Sequence, residues 1–340
     1  MTGRALISNY DALLADLDGV VYAGPAAIGG AVESLKRLAD FDVELGYITN
    51  NASRSPATVA EHLSSLGAPA TEEQVITSAQ AGARLLAEKL KPGSTVLVAG
   101  SKALAAEVEL VGMSVVWSAE EQPDAVVQGF DPGIGWTALA EASFAVAGGA
   151  LWVATNTDMT VPNERGIAPG NGSLVAAVQA ATGQVPDVAG KPRAPLFSAA
   201  VERLQAKHAL IVGDRLDTDI LGGNNSGIDT AVVLTGVDTL ETILAACAAE
   251  RPRYILADLR GLFEPYPEIE VSGGKHNCGG SSAYVQGSKV QVTGSLDDLD
   301  TWRAACSAWW AVNPDAKEAV SPTPCCLIAI PPGRIIRCLI

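Results

Sequence analysis

Short apolar runs alternate regularly with stretches of helical spacing, and this alternation constrains the fold more than any other feature. The runs are typical of buried strands and cover residues 12–15, 43–48, 75–76, 95–99, 114–116, 124–128, 151–155, 209–212, 230–234 and 254–256. Between them, residues such as Val59, Leu63 and Leu66 repeat every three to four positions. Parallel strands need a crossover connection that is usually a helix, so the alternation predicts an α/β fold with parallel sheets.

The first apolar run ends in two aspartates. Asp16 follows the run directly, and Asp18 stands one residue further on, before Gly19. Open α/β sheets bind ligands at the carboxyl ends of their strands, where one carboxylate can be a nucleophile or metal ligand and another can carry a proton. A strand that ends in an ordinary Asp-Gly turn gives the same pattern, so the pair alone does not distinguish a site from a turn.

Polar side chains also occur at three further predicted strand ends or turns. They are Thr49, Asn50 and Asn51 after the second run, Lys191 in a predicted tight turn, and Asp214 and Asp219 after the run that begins at Ala209. Because the carboxyl ends of parallel strands share one edge of the sheet, residues as far apart as Asp16 and Asp214 can converge there. Each segment alone is compatible with a turn, a surface lysine or a helix start, but together they favour one site.

This set of side chains suits phosphoryl transfer. Several carboxylates beside a phosphate form the hard oxygen site that Mg²⁺ prefers. A hydroxyl and backbone N–H groups can hold phosphate oxygens, and a lysine supplies positive charge. One aspartate can attack phosphorus to form an aspartyl-phosphate, while a second protonates the leaving alkoxide. The sequence therefore predicts Mg²⁺-dependent chemistry on a small-molecule phosphate ester.

Composition argues against several other classes of protein. A formal net charge of −15 disfavours nucleic acid or an anionic membrane as the main partner. The N-terminal residues lack the apolar core of a signal peptide, and no run approaches the ~20 apolar residues of a membrane span, so a cytoplasmic location without membrane insertion is expected. The six cysteines form no CxxC pair and do not cluster with histidines, which disfavours a zinc site or a disulfide framework. The sequence leaves open whether the chain forms a homo-oligomer.

The motifs also resemble those of a known family. Four segments are similar to the four motifs of the haloacid dehalogenase-like phosphatase superfamily. In motif order they are residues 16–20, Thr49, Lys191 and residues 213–219. The fourth, Gly-Asp followed by Thr-Asp, resembles the branch that contains the nucleotide phosphatase NagD, phosphoglycolate phosphatase and pyridoxal phosphatase. The resemblance covers about residues 8–263, and no motif position departs from the pattern.

The resemblance implies a role for each motif residue. Asp16 would be the nucleophile and a Mg²⁺ ligand, and Asp18 the general acid and base that also gives its backbone carbonyl to the metal. Asp214 would be a further metal ligand, with Asp219 in support. The residues that would bind the phosphoryl group are Thr49, Asn50, Asn51 and Lys191.

In this branch a cap domain is inserted between the second and third motifs and determines substrate specificity. The expected division is a Rossmann-like catalytic core of residues 1–81 and 185–263, an α/β cap of residues 82–184 and a small α+β extension of residues 264–340. Within the cap, Asn156, Asp158 and Arg165 are the candidate substrate contacts, and residues 159–172 are expected to form a long irregular loop.

The cap also bears on the substrate. Residues 154–164 contain no Lys or Arg, and the first cation after them is Arg165, which favours a small polyol phosphate over a dicarboxylate or a nucleotide. The resemblance favours glycerol 3-phosphate, with phosphoglycolate, nucleotides and pyridoxal phosphate as alternatives. A non-catalytic phospho-acceptor also uses a strand-end aspartate, Mg²⁺ and a lysine, but the Asp16–Asp18 pair and the cap-sized insert argue against it.

A different pattern begins near residue 264. Residues 284–292 predict a β-hairpin with Gly287-Ser288 at its turn, and Ser295 is expected to cap a helix that runs through Trp310. This extension resembles part of an acetyltransferase fold. It contains no Gly-rich loop for an acyl-CoA phosphate, so we do not expect transferase activity.

The predicted helix of the extension is rich in tryptophan. Trp302, Trp309 and Trp310 lie on it, and aromatic residues at helical spacing usually pack against the core or a partner. The apolar, Cys-rich tail after Pro322 matches no pattern.

Overall fold

The computed structural model describes residues 3–163, 165–314 and 325–326. Its strands are β1 (Ala12–Ala15), β2 (Tyr22–Ala23), β3 (Ala26–Ala27), β4 (Glu44–Thr49), β5 (Val75–Thr77), β6 (Thr95–Ala99), β7 (Ser114–Val116), β8 (Ala125–Gln128), β9 (Leu151–Ala154), β10 (Thr160–Asn163), β11 (Gly166–Pro169), β12 (Asp187–Val188), β13 (Ala209–Gly213), β14 (Asp229–Val233), β15 (Tyr254–Leu256), β16 (Ile269–Ser272), β17 (Lys275–Cys278), β18 (Ser281–Gln286), β19 (Lys289–Thr293) and β20 (Cys325–Cys326). Its α-helices are α1 (Ala31–Arg37), α2 (Pro56–Ser65), α3 (Ser78–Lys89), α4 (Lys102–Leu110), α5 (Trp136–Ala147), α6 (Asn171–Thr182), α7 (Ala194–Arg203), α8 (Leu221–Asn225), α9 (Leu240–Leu244) and α10 (Leu299–Val312).

Six parallel strands form the central sheet, in the order β15-β14-β13-β1-β4-β5. Strand β1 lies between β13 and β4 and is buried on both faces, as its uninterrupted apolar sequence predicts. Leu13 faces one hydrophobic cluster and Leu14 faces another, because successive side chains of a strand point to opposite faces. All six strands therefore end at one edge of the sheet, which is where Asp16 follows β1.

A second sheet of five parallel strands, in the order β12-β9-β8-β6-β7, comes from the middle of the chain. Residues of both sheets contribute to one hydrophobic cluster, in which Ile48 belongs to the central sheet and Val98 to the second. Strand β12 pairs with β9 although it follows residue 184, the predicted end of the cap. The two parallel sheets and the structural relatives reported below confirm the predicted α/β fold class, while the domain boundaries stay predictions.

The predicted irregular loop at residues 159–172 is wrong in part. Strands β10 and β11 pair there as an antiparallel hairpin, with Thr160 opposite Pro169. The prolines and glycines of this stretch indicated a loop, but proline is compatible with a two-stranded hairpin because its missing N–H can face outwards from the ladder.

The extension contains antiparallel strands β16 to β19, with α10 packed against them. The β18–β19 hairpin turns at Gly287-Ser288 as predicted. The β16–β17 hairpin was not anticipated, although its turn residues Gly273 and Gly274 both have the positive φ that favours glycine.

Three further expectations about helices can be compared with the structure. The predicted cap at Ser295 is wrong, because the side chain of Asp298 caps α10 by accepting from the N–H of Asp300. The helix predicted over residues 240–249 ends at Leu244 and is followed by a separate 3₁₀ turn, Ala248–Glu250. The tryptophans are predicted to pack against the core or a partner, and the core is confirmed: Trp302 and Trp309 are buried in a hydrophobic cluster, and the partly buried Trp310 packs against it.

Most of the Cys-rich tail after Pro322 lies outside the described residues; residues 325–326 form β20, which pairs with β19 in parallel. Across the residues that the structure describes, no helix combines the length and the apolar content that a membrane crossing requires.

Candidate active site

Lys191 links two buried carboxylates at the carboxyl edge of the central sheet. Its Nζ donates to Oδ1 of Asp16 and, at 2.7 Å, to Oδ1 of Asp219. Asp16 sits directly after β1, where its N–H donates to the carbonyl of Val212 at 2.9 Å. Lys191 itself is only 3% exposed. The structure thus brings together residues from three separate strand ends or loops in one buried ion cluster.

Asp214 is held by glycines and backbone at the end of β13. Its Oδ2 accepts from the N–H of Val237 at 2.8 Å. A β-carbon on Gly19 or Gly236 would clash with its carboxylate, and Gly19 has a φ of +80°, so both positions require glycine. Its Oδ1 is buried and accepts no hydrogen bond from the part of the chain that the structure describes.

These carboxylates are arranged as a metal site requires. One oxygen each from Asp16, Asp214 and Asp219 lies within 4.8 Å of the others. All three residues are buried, and carboxylates in so small a volume repel one another unless cations neutralise them. Lys191 pairs with Asp16 and Asp219, whereas the carboxylate of Asp214 accepts, among the described residues, only from the N–H of Val237. The unpartnered Oδ1 of Asp214 and the oxygen-only donor set fit a hard divalent cation.

Burial sets the titration of the cluster. Desolvation, with charge from neighbouring carboxylates, raises the pKa of Asp16, Asp214 and Asp219 to about 6 each. Burial alone would lower the pKa of Lys191, but the charges of Asp16 and Asp219 beside it raise that pKa above its ordinary value. Lys191 is therefore a permanent cation at neutral pH.

Asp18 lies next to this cluster in a less buried position. The hydroxyl of Tyr22 donates to its Oδ2 at 3.4 Å. Although the residue is exposed, desolvation by the surrounding protein raises the pKa of its carboxyl group. A carboxyl group with a raised pKa that can reach solvent is suited to proton transfer.

The residues after β4 have different partners. Thr49 is buried, and its Oγ1 accepts from the N–H of Asn51 at 3.1 Å. The side chain of Asn51 accepts instead from the N–H and the hydroxyl of Ser53, both at 2.8 Å. The side chain of Thr49 is therefore bonded to the backbone of Asn51, whereas the side-chain oxygen of Asn51 is bonded to Ser53 in the same loop.

Asn50 joins the loop that carries Lys191 to the segment that follows β9. Its Oδ1 accepts from the N–H of Lys191 at 2.8 Å, and its Nδ2 donates to the carbonyl of Lys191 at 3.2 Å. The same Nδ2 donates to the carboxylate of Asp158, with distances of 3.2 and 3.1 Å to its two oxygens. The side chain of Asn50 thus positions the backbone of Lys191.

The cap candidates are placed differently from one another. Asn156 is buried and donates from Nδ2 to the carbonyl of Asn50 at 2.7 Å, so it holds the loop to the core. Asp158 is half-buried, and desolvation raises its pKa. Arg165 is exposed at the turn between β10 and β11.

Two residues of the site were missed in the sequence. Tyr22 contacts Asp18, but the short strand that carries it gives no periodic signal. Arg215 pairs with Asp217 and lies in the field of Asp158 and Asp214; these contacts, first the hydrogen bond to Asp217, raise its pKa. The position of Arg215 inside the fourth motif was the feature of the sequence that could have identified it as a site residue.

Comparisons with known proteins agree with this geometry. The family model described as haloacid dehalogenase-like hydrolase matches residues 13–114, and the one described as HAD-hydrolase-like matches residues 188–262. The D-glycerol 3-phosphate phosphatase of Mycobacterium tuberculosis is 46% identical over 317 residues, which are 90% of this chain and 88% of that protein. The 5'-nucleotidase YutF of Bacillus subtilis is 38% identical over 237 residues, 69% of this chain and 91% of that protein.

Solved structures give the same result. A crystal structure of glycerol phosphate phosphatase from Mycobacterium tuberculosis in complex with magnesium has a TM-score of 0.84 and 46% identity, and the match covers 91% of this chain and 92% of that one. The p-nitrophenyl phosphatase from Archaeoglobus fulgidus has a TM-score of 0.69 and 30% identity over 75% of this chain and 98% of that one. The chain belongs to the haloacid dehalogenase-like hydrolases. Within that family it is a phosphatase.

Proposed function

We propose that the protein is a Mg²⁺-dependent phosphomonoesterase that hydrolyses glycerol 3-phosphate through an aspartyl-phosphate intermediate. The observation that carries the proposal is the buried cluster of Asp16, Lys191, Asp214 and Asp219, with Asp18 two residues from the proposed nucleophile. This set provides a nucleophile, a proton donor, a fixed cation and a metal-binding oxygen site at one strand edge.

In the proposed first step, a carboxylate oxygen of Asp16 attacks phosphorus and the bond from phosphorus to the glycerol oxygen breaks. Asp18 gives its proton to the leaving alkoxide. In the second step Asp18 takes a proton from water, which attacks phosphorus and releases inorganic phosphate and free Asp16. Lys191 and the hydroxyl of Thr49 bind the phosphoryl oxygens, and Asn50 and Asn51 contribute through the loop that follows β4.

The residues that would hold the metal are Asp16, Asp214 and the backbone carbonyl of Asp18, with Asp219 in support. Bound Mg²⁺ would neutralise charge on the phosphoryl group as it is transferred. Without the cation, the unpartnered oxygen of Asp214 is buried at a cost in free energy, which is the expected property of a carboxylate kept for a metal.

The choice of glycerol 3-phosphate rests on the extent of the mycobacterial match. An alignment of 317 residues must include part of the extension, since only 263 residues precede it. The acid sugar phosphatase of Staphylococcus haemolyticus, by contrast, matches 74% of this chain. The absence of Lys and Arg from residues 154–163 supports a neutral leaving alcohol. The cytoplasmic location stays a prediction.

A phosphate-release assay with Mg²⁺ tests the proposal. The panel contains both enantiomers of glycerol 3-phosphate, phosphoglycolate, a nucleoside monophosphate, pyridoxal phosphate and a sugar phosphate. We expect the highest kcat/KM with one glycerol 3-phosphate enantiomer. A higher kcat/KM for another ester would show that glycerol 3-phosphate is not the preferred substrate, although the protein would still be a phosphomonoesterase. Release of no more than one phosphate per chain would indicate a phospho-acceptor.

A further inference from the structure

Helix α10 of the extension is bonded to the short helix α9. Nε1 of Trp310 donates to the carbonyl of Leu244, the last residue of α9, at 3.2 Å. The guanidinium of Arg251 lies 5.6 Å from the Trp310 ring centroid, and its Nη2 donates to the carbonyl of Asn313 at 2.6 Å. The C-terminal end of α9 is thereby fixed to the end of α10.

The segment that leads into α9 contacts the acidic cluster. Val237, shortly before the helix, donates its N–H to Oδ2 of Asp214 at 2.8 Å. Asp238 donates its N–H to the carbonyl of Asp214 at 3.1 Å and accepts from the N–H of Leu216 at 2.7 Å. The segment from Val237 through the five residues of α9 thus connects Trp310 to a proposed metal ligand and to the turn that follows it.

The same turn packs against the extension through apolar side chains. Residues 216–220 form one π-helical turn, which carries Asp219. Leu216 and Ile220, at its two ends, are buried in a hydrophobic cluster that also contains Trp302 and Trp309 of α10. Asp219 therefore lies between two side chains that are anchored in a cluster shared by the catalytic core and the extension.

The extension also covers the outer strand of the central sheet. The N–H of Ile255 in β15 donates to the hydroxyl of Tyr266 at 3.1 Å, and the carbonyl of Ile255 accepts from Arg303 at 2.7 Å. An edge strand normally presents such groups to solvent or to another chain. Here the extension supplies partners for them, so it is continuous with the catalytic core and not a separate module.

We infer that the C-terminal extension is a positioning element for the metal centre, in which Trp310 and the cluster around it hold α9, and the segment that leads into α9 holds Asp214 and the turn that carries Asp219. This inference rests on the proposed metal-dependent function. The extension would then serve the phosphatase reaction and would not catalyse a separate reaction such as acetyl transfer. Groups that orient metal ligands from outside the first coordination shell typically change metal affinity by about 10–100-fold when they are removed.

Calorimetric titration of the metal-free protein with MgCl₂ tests the inference without any measurement of turnover. We expect Trp310→Ala to raise the Mg²⁺ dissociation constant by about 10-fold. The milder Trp310→Leu keeps apolar volume but loses the hydrogen bond to Leu244, and we expect a smaller rise in the same direction. Val178→Ala, a buried substitution in the cluster beside the second sheet, is the matched control and should lower thermal stability without changing the Mg²⁺ dissociation constant.

An unchanged dissociation constant in a folded Trp310→Ala variant would overturn the inference. If that variant does not fold, Trp310→Leu decides in the same way. An equal loss of affinity in Val178→Ala would also overturn it, because the effect would then reflect general loss of stability. Wild-type protein that binds Mg²⁺ but releases no phosphate would contradict the proposed function while the affinity comparison still stands.

Discussion

Nζ of Lys191 lies 2.7 Å from Oδ1 of Asp219, and both side chains are almost completely buried. A buried charge pair contributes little net stability, but removal of one partner is costly because the other charge stays buried without compensation. Here the lysine compensates two carboxylates, Asp219 and Asp16.

Lys191→Met should therefore destabilise the metal-free protein by about 3–5 kcal/mol at neutral pH, because it leaves two carboxylates buried beside each other. Mg²⁺ should recover part of this loss by binding those carboxylates. Urea unfolding with and without Mg²⁺ measures both effects, with the exposed Lys102→Met as the control. Equal stability of the Lys191 variant and the wild type would show that the pair is not formed in solution.

Asp16→Asn should abolish phosphate release while the fold is kept, since the amide has nearly the same shape but is not a nucleophile. We expect a decrease of about 10³-fold or more in kcat. Circular dichroism and thermal unfolding check the fold of the variant. Turnover close to that of the wild type would mean that Asp16 does not attack phosphorus.

Asp18→Asn should slow hydrolysis in a way that depends on the leaving group. For glycerol 3-phosphate, whose alkoxide needs a proton, we expect a loss of about 10²–10⁴-fold. For p-nitrophenyl phosphate, whose phenolate leaves without one, we expect a rapid burst that approaches one nitrophenolate per enzyme, followed by slow turnover as the aspartyl-phosphate accumulates. Equal losses for both substrates, with no burst, would assign Asp18 a role other than proton transfer.

Asp214→Asn should stabilise the metal-free protein at neutral pH. Burial, with the charge of Asp219, raises the pKa of Asp214 from 3.8 to about 6. The folded state therefore binds the proton more tightly than the unfolded state, so the contribution of this group to stability is full below about pH 4 and is lost as the pH rises through 6.

Asp214→Asn has no carboxyl group to deprotonate, so this variant does not lose stability as the pH rises through 6. At pH 7.5 without metal, we expect its free energy of unfolding to exceed that of the wild type by on the order of 2 kcal/mol, with no difference near pH 4. Mg²⁺ should stabilise the wild type but not the variant. Equal stabilisation of both proteins by Mg²⁺ would remove Asp214 from the proposed metal ligands.

Much of the fold follows from local sequence patterns. The runs around Leu13 and Ile211 are apolar throughout because their strands are buried on both faces, and the parallel arrangement requires their ends to meet. The positions of Asp16 and Asp214 at that edge are therefore predictable. A prediction was wrong where two nearby residues could serve the same local role. Ser295 is predicted to cap α10, but Asp298, three residues later, caps it.

Other relationships are not encoded locally. Asn50 is predicted to bind the phosphoryl group, and only the structure shows that its amide is also bonded to Lys191 and Asp158. Gly236, which leaves room for the carboxylate of Asp214, stands outside every motif. Such contacts join residues far apart in the chain, and hydrophobic periodicity contains no information about which distant loops approach one another.

The sequence by itself determined the class of fold, the edge at which the site forms and the types of side chain that meet there, because residue type and strand period are local properties. Only the tertiary structure decided how charge is shared within the site and how the extension contacts α9 and the outer strand of the central sheet. Burial and distance depend on the packing of the whole chain: the connection from Trp310 through α9 to Asp214 exists only after three separate segments have packed together.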